Sequence, residues 1–476
     1  MARYVTTTLP YVNASPHLGH ALEFVQADAY VRTLRAEGEE VFFNIGTDEH
    51  GTKVFEKAAL EGKEVRAYVD EYAKRFRTFA DMLGISYSAF IRTTDEKHIR
   101  AAQEFWRHCE QAGDIYKATY DVKYCVGCEL EKTDSDLVDG VCPIHPNLSI
   151  EFIAEENYYF RFSKYQDAIL ALYRDNPHFV MPEERLREIT SFVSLGLKDF
   201  SISRRKEKLP WGVPVPGDDE HVMYVWFDAL VNYVSTIGWP DDMALFETYW
   251  PVVQFAGKDN LRQQSAMWQA MLLSAGLPSS KQVFIHGFIT SDGQKMSKSL
   301  GNVISPADIV ARYGVDALRY YLLRHVHPFE DSDVTLPRIA EVYEGNLVNG
   351  LGNFVARVMT LAETHLSEPV ILSSEELSLP KAFVACVESF RFHEALDMVF
   401  AYVQKGDVCM TEREPYRRVK SDVPEEKDIA KEDIRTLVRH VAMLGTYITP
   451  LMPVTAEKIL RAVKENKKPE NLFPRV

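Results

Sequence analysis

The stretch that most restricts how this chain can fold is Leu9 to His20, LPYVNASPHLGH. A short apolar, β-branched run, Tyr4 to Thr8, precedes it and reads as a buried strand. Pro10 and Pro16 forbid a continuous helix through the turn. From Leu18 apolar residues recur at Ala21, Phe24, Val25, Ala29, Tyr30 and Leu34, which predicts an amphipathic helix running to Gly38. Val41 to Ile45 then reads as a second buried strand, ending in GTDEHG. Such a strand–turn–helix–strand unit puts His17, Gly19 and His20 at a helix N-terminus, where free backbone N–H groups and the helix dipole favour an anion. The imidazoles add donors, and the glycine leaves room for a flat group against the backbone.

A second stretch far downstream changes the weight of the first. Gly287 is followed by Lys295-Met296-Ser297-Lys298-Ser299. Two lysines on a loop bordered by Gly and Ser suit a mobile polyphosphate clamp. Taken singly, the histidines read as chance and the lysines as a solvated loop. Together, an HxGH turn after the first strand and a KMSKS loop after a later strand resemble the signature pair of the class I aminoacyl-tRNA synthetases. The resemblance extends over nearly the whole chain and in detail is to the methionine-specific members.

Composition sets the bounds. A chain of 476 residues, 46% hydrophobic and 26% charged, has the make-up of a globular protein with several sizeable cores. It shows no signal peptide and no apolar run of transmembrane length. Six cysteines, three of them clustered, speak against a disulfide framework and for a reducing, cytoplasmic setting. The formal charge of −15 does not advertise nucleic-acid binding, but phosphate contact needs only a local basic face.

Strands alternate with helices in residues 1–115 and again in 221–290, which predicts an α/β, Rossmann-like parallel sheet with ligands at the carboxyl ends of its strands. Between them, 116–220 carries short strand-like runs (Ile115–Tyr120, Tyr158–Phe162) and turn-rich segments, and reads as an insertion. Within it stand Cys125-x-x-Cys128 and Cys142-x-x-His145. Paired x2 spacings place two ligands on each of two tight turns, and zinc takes such a set as a tetrahedron. The competing reading is free thiols in a loop. With all four positions filled, one structural Zn²⁺ would staple the insertion and leave no open site for chemistry. Cys109, Cys386 and Cys409 read as small buried apolar residues. After the lysine loop, 291–342 mixes helix and strand. Residues 343–476 read as an all-α bundle broken near Pro369, Pro380, Pro415 and Pro424, with a basic patch at Arg413, Arg417, Arg418 and Lys420.

The resemblance implies a reaction: methionine and ATP give methionyl-adenylate and pyrophosphate, and the methionyl group passes to the 3′ end of tRNA(Met). It implies phosphate contacts from His17, His20, Lys295 and Lys298, with Asn13, Gly19, Gly257 and Asp259 around ATP and Mg²⁺ accompanying it. It implies a methionine pocket of Leu9, Tyr11, Trp226, Ala229, Leu230, Tyr233 and Gln264, with Asp48 taking the ammonium group. Many relatives have histidine where Gln264 stands; glutamine can hydrogen-bond there but carries no charge. Residues 291–342 resemble the stem-contact segment, through Tyr313-Gly-Val-Asp-Ala-Leu-Arg319. The bundle resembles the anticodon-binding domain, with Asn353 and Arg357 one helical turn apart and Tyr416 after Pro415 at the stacking position, where tryptophan is usual. The chain stops at Val476, without the C-terminal dimerising domain of some relatives, so a monomer is expected.

Three rivals stand beside this reading. A synthetase for Ile, Leu or Val would carry a larger editing insertion, and a cysteine-specific one would bind its substrate through an active-site zinc. A catalytically silent tRNA-binding protein would have no need of both signature stretches. A nucleotidylyltransferase shares the HxGH logic but normally lacks the zinc insertion and the bundle.

Overall fold

The computed structural model describes residues 2–128, 130–132, 136–291, 293–295 and 304–476. Its centre is a six-stranded sheet whose strands, numbered in chain order, are β1 (Ala2–Thr7), β2 (Glu40–Thr47), β3 (Ala89–Arg92), β4 (Val180–Met181), β5 (Val252–Gly257) and β6 (Gln282–His286). Their spatial order is β3-β2-β1-β5-β6-β4, and every neighbouring pair is parallel. The central strands are continuous buried runs, as a parallel sheet covered on both faces requires. From β1 the chain builds outward through β2 and β3, then returns to place β5 on the other side of β1. The order therefore reverses between β1 and β5, and the crevice at their carboxyl ends is where such sheets bind ligands.

Helix α1 (Leu18–Ala36) follows β1. Its apolar spacing predicts a solvent-facing side, yet Glu23, Gln26, Asp28 and Thr33 are buried along with the apolar residues. The reason is that α1 is covered on its outer side as well. Tyr30 stacks on Phe390 of the helical region at 5.4 Å, and Arg319 of the Val315–Arg324 helix pairs with Asp28 at 2.7 Å. One apolar core runs from α1 and the sheet into the bundle.

The stretch between the two sheet halves is built on a long antiparallel pair, Ile115–Cys125 with Ile150–Phe160, in register from Ile115↔Phe160 to Cys125↔Ile150. Both strands extend well beyond the short runs legible in the sequence. The same stretch also supplies β4, which pairs with β6 at one edge of the central sheet. A further helix, Thr52–Leu60, begins directly after the GTDEHG turn, where Gly51 takes a φ of 105°. Beyond the lysine stretch come helices Pro306–Tyr313 and Val315–Arg324, then a bundle of Asn353–His365, Phe392–Arg413, Pro424–Ile448 and Pro453–Glu465. Among the described residues no helix is long and apolar enough to cross a membrane.

Candidate active site

The HxGH turn is a helix cap. His17 is the N-cap of α1, in extended conformation, and its Nδ1 accepts from the Gly19 backbone N–H at 3.1 Å. His20 Nδ1 accepts in turn from the His17 N–H at 3.2 Å, so the two side chains form a reciprocal capping box. The rings stack at 3.7 Å with 18° between their planes. Because each Nδ1 accepts from a backbone donor, both imidazoles carry their proton on Nε2 and present it as a neutral N–H donor. Burial, reinforced by His17 and by His286, holds the His20 pKa well below the ordinary imidazole value, which keeps that ring neutral. A Cβ on Gly19 would lie 3.0 Å from His17 Cε1, so a side chain there would press on the cap.

Across the crevice, β5 ends at Gly257 and leads into the Lys258–Asn260 turn. A Cβ at Gly257 would meet Asp259 Oδ1 at 2.8 Å and touch His286 Cε1 at 3.5 Å, so a side chain there would displace the Asp259 carboxylate. After β6 the chain forms a small hairpin, Ile289–Ser291 with Gln294–Lys295, whose first strand also pairs with Ser332–Asp333. The lysine stretch therefore leaves the sheet at the same edge as the HxGH cap. The backbone of Lys295 is described, opposite Thr290, whereas Lys298 lies outside the described residues.

The residues expected at methionine come from two sides. Leu9 and Tyr11 lie in the turn after β1, where Tyr11 bridges Asp48 and the Asp48 N–H donates to the Pro10 carbonyl at 2.9 Å. Trp226 and Ala229 lie on the short Val225–Ala229 helix, Leu230 caps it, and Tyr233 is one turn on. His50 Nδ1 lies 2.6 Å from Asp228 Oδ2, which fastens the Asp48 loop to that helix. Tyr11 and Trp226 pack against one pair, Tyr124 and Tyr224, whose hydroxyls lie 2.8 Å apart. Gln264 is buried, and its Oε1 accepts from Gln254 Nε2 at 2.7 Å. Burial raises the pKa of the Tyr233 hydroxyl, against the opposing pull of the amides of Gln264, Gln254 and Asn232. Asn13 is half-buried in the turn before the cap.

Cys125, Cys128, Cys142 and His145 bring four ligand atoms within 4.8 Å of one another. The Cys128 and Cys142 sulfurs are 3.4 Å apart, and His145 Nδ1 is 3.3 Å from Cys128 Sγ and 3.9 Å from Cys125 Sγ. A tetrahedral zinc with thiolates has ligand–ligand edges of about 3.8 Å, so the set fits such an ion. A Cβ on Gly127 would fall 2.3 Å from His145 Cγ, and the Gly127 carbonyl accepts from Lys53 Nζ at 2.7 Å. That bond joins the turn between Cys125 and Cys128 to the helix that follows GTDEHG.

In the bundle, Asn353 and Arg357 are both exposed on one face of the Asn353–His365 helix. Arg357 Nη1 donates to Asp407 Oδ1 at 3.0 Å, a partner with no signal in the sequence. Tyr416 is half-buried in the short Pro415–Arg418 helix, with the Arg417 guanidinium 5.8 Å from its ring centre. Sequence reasoning also left out Glu23 and His286, which meet between α1 and the end of β6 at 3.0 Å. The available signal for the first was a lone glutamate on the apolar side of α1.

The family model described as tRNA synthetases class I (M) matches residues 3–149 and 133–359. The chain belongs to this class I tRNA synthetase family. The methionine–tRNA ligase of Brucella suis biovar 1 is 39% identical over 472 residues, spanning 96% of this chain and 90% of that protein. That of Thermotoga maritima is 37% identical over 487 residues, spanning 98% and 76%. The structure of the Mycobacterium tuberculosis methionyl-tRNA synthetase in complex with methionyl-adenylate superposes with a TM-score of 0.92 at 34% identity, covering both chains completely.

Proposed function

We propose that this chain is a methionine–tRNA ligase, which activates methionine with ATP and transfers it to tRNA(Met) for translation. One observation carries the reading most directly: the HxGH cap and the hairpin leading into KMSKS leave the same carboxyl edge of the sheet, on either side of the point where strand order reverses. The relatives named methionine–tRNA ligase, and the neighbour that binds methionyl-adenylate, support the choice of amino acid.

In the first step an oxygen of the methionine carboxylate bonds to the α-phosphorus, the bond to the β-phosphate bridging oxygen breaks, and pyrophosphate leaves with that electron pair. In the second, a hydroxyl of the terminal ribose of tRNA attacks the activated carbonyl and AMP departs. The substrate brings its own nucleophile, so the protein's work is positioning and charge stabilisation. On this reading His17 and His20 turn neutral Nε2–H donors toward phosphate oxygens at the N-terminus of α1, where Gly19 leaves room for the nucleotide. Lys295 and Lys298 close from the other side, and Mg²⁺ bound with ATP supplies further neutralisation. Asn13, Gly257 and Asp259 frame the nucleotide. Asp48 takes the methionine ammonium group, while Leu9, Tyr11, Trp226, Ala229, Leu230, Tyr233 and Gln264 surround the thioether, which suits aromatic faces and a neutral donor.

Cys125, Cys128, Cys142 and His145 would hold one structural Zn²⁺, with no part in the chemistry. The helices of 343–476 would read the anticodon through Asn353, Arg357 and Tyr416, with Arg357 exchanging Asp407 for the RNA. We take the protein to act as a cytoplasmic monomer. The test is charging of tRNA(Met) with methionine. Charging that falls about tenfold or more in Tyr416→Ala, as loss of one stacked base predicts, while methionine activation is unchanged, supports the assignment; equal charging of a tRNA with an unrelated anticodon contradicts it.

A further inference from the structure

Two buried residues outside this machinery join three elements of the crevice. Glu23 is 7% exposed and His286, the last residue of β6, 5%. His286 Nε2 lies 3.0 Å from Glu23 Oε2, and His286 Nδ1 lies 2.8 Å from the Gly287 carbonyl oxygen. A carboxylate and a carbonyl can only accept, so both ring nitrogens donate and His286 is an imidazolium. The other oxygen of Glu23 accepts from the Thr8 N–H at 2.8 Å and from the Thr8 hydroxyl at 2.6 Å. One carboxylate thus ties the turn after β1, helix α1 and the end of β6 together. The imidazolium also abuts Gly257, at the strand end assigned above to the nucleotide.

We propose that His286 is a positioning residue for ATP: as an imidazolium it holds Glu23, and with it the helix that carries His17 and His20, against the strand that leads into the lysine loop. The proposal rests on the ligase reading. Among the described residues, the titratable groups that face His286 are Glu23 and His20 on α1 and Asp259 in the turn after β5. Burial opposes the charge, but the hydrogen bond and charge of Glu23, the Gly287 carbonyl and Asp259 favour it, and the balance lifts the pKa above the ordinary imidazole value. A raised value means that the clamp is intact at and below the ordinary imidazole range and is lost as pH rises through the raised value. Deprotonation removes one of the two donors and leaves the buried Glu23 charge without its counter-charge beside the nucleotide site, which disfavours a triphosphate.

The experiment is methionine-dependent ATP–pyrophosphate exchange from about pH 6 to 9, a span that brackets a raised histidine and stays below lysine, on the wild-type protein and on His286→Gln. Glutamine keeps one donor and no charge. The wild-type KM for ATP should rise along an alkaline limb that the KM for methionine lacks. In His286→Gln the KM for ATP at neutral pH should be roughly ten- to a hundredfold higher, the loss of a charge-assisted hydrogen bond, and the limb should vanish. A folded His286→Gln with an unchanged KM for ATP, or a wild-type protein without the limb, overturns the proposal. If the variant does not fold, the wild-type limb alone decides. Absence of exchange with any amino acid would instead remove the ligase reading and this proposal with it.

Discussion

Replacing Arg319 by leucine should loosen the catalytic sheet from the helical bundle. Arg319 is fully buried, and its guanidinium pairs with Asp28 Oδ2 at 2.7 Å. It also donates to the Leu451 carbonyl at 2.8 Å, to Leu83 at 3.3 Å and to Pro450 at 3.4 Å. These partners lie on α1, on the turn after the Val65–Met82 helix, and on the turn between the last two bundle helices. Removing one side of a buried ion pair costs about 3–5 kcal/mol. Asp28 would keep Arg32 at 2.7 Å and the Ser86 N–H at 2.7 Å, which puts the loss at the lower end. The bonds to the three carbonyl acceptors, of which only that to Leu451 is short, add about 1 kcal/mol. The total is about 4 kcal/mol, measurable by urea unfolding. All six tryptophans lie between Trp106 and Trp268, so their fluorescence reports the catalytic part, whereas far-UV circular dichroism also reports the bundle. The two transitions should coincide in the wild type and separate in Arg319→Leu. A variant within about 1 kcal/mol of wild type, with coincident transitions, would refute this account of the junction.

Two further predictions concern Gly127 and His98. Gly127→Ala should lower metal content on purification and loosen the insertion, because its Cβ would overlap His145; full metal content by elemental analysis would contradict the ligand geometry. Burial pushes His98 down to about 3, so the fold resists its charge. Since the unfolded chain takes up a proton from about pH 6.5 downward, this histidine should contribute a fall in stability of up to about 1.4 kcal/mol per pH unit between there and its folded value. His98→Gln should flatten that part of the pH profile in urea unfolding, and an unaltered slope would show that another group is responsible.

What could be read in the sequence was whatever had a local cause. The β1–α1–β2 unit was legible because prolines, apolar runs and helical spacing are neighbours along the chain. The cluster of Cys125, Cys128, Cys142 and His145 was legible because x2 spacing alone brings each pair together. Residues Val180–Met181 left no signal as a strand, since two residues carry no period and their pairing with β6 is made a hundred positions away. The burial of polar residues on the outer side of α1 was hidden for the same reason: what covers Asp28 is Arg319. The contact between Glu23 and His286 spans 263 positions, and Gln264 meets Gln254 only because a helix folds back over β5. Motifs mark where ligands should lie, whereas the groups that hold those motifs in place are non-local and become visible only in the fold.

The central claim is that the two signature stretches form one methionine-activating site. Its most direct test is ATP–pyrophosphate exchange with each of the twenty amino acids in turn, repeated on Lys298→Ala. The account predicts exchange with methionine alone, and a loss of roughly a hundredfold or more in the variant, as for removal of one transition-state charge contact. Exchange driven by a different amino acid, or full activity in Lys298→Ala, would contradict it.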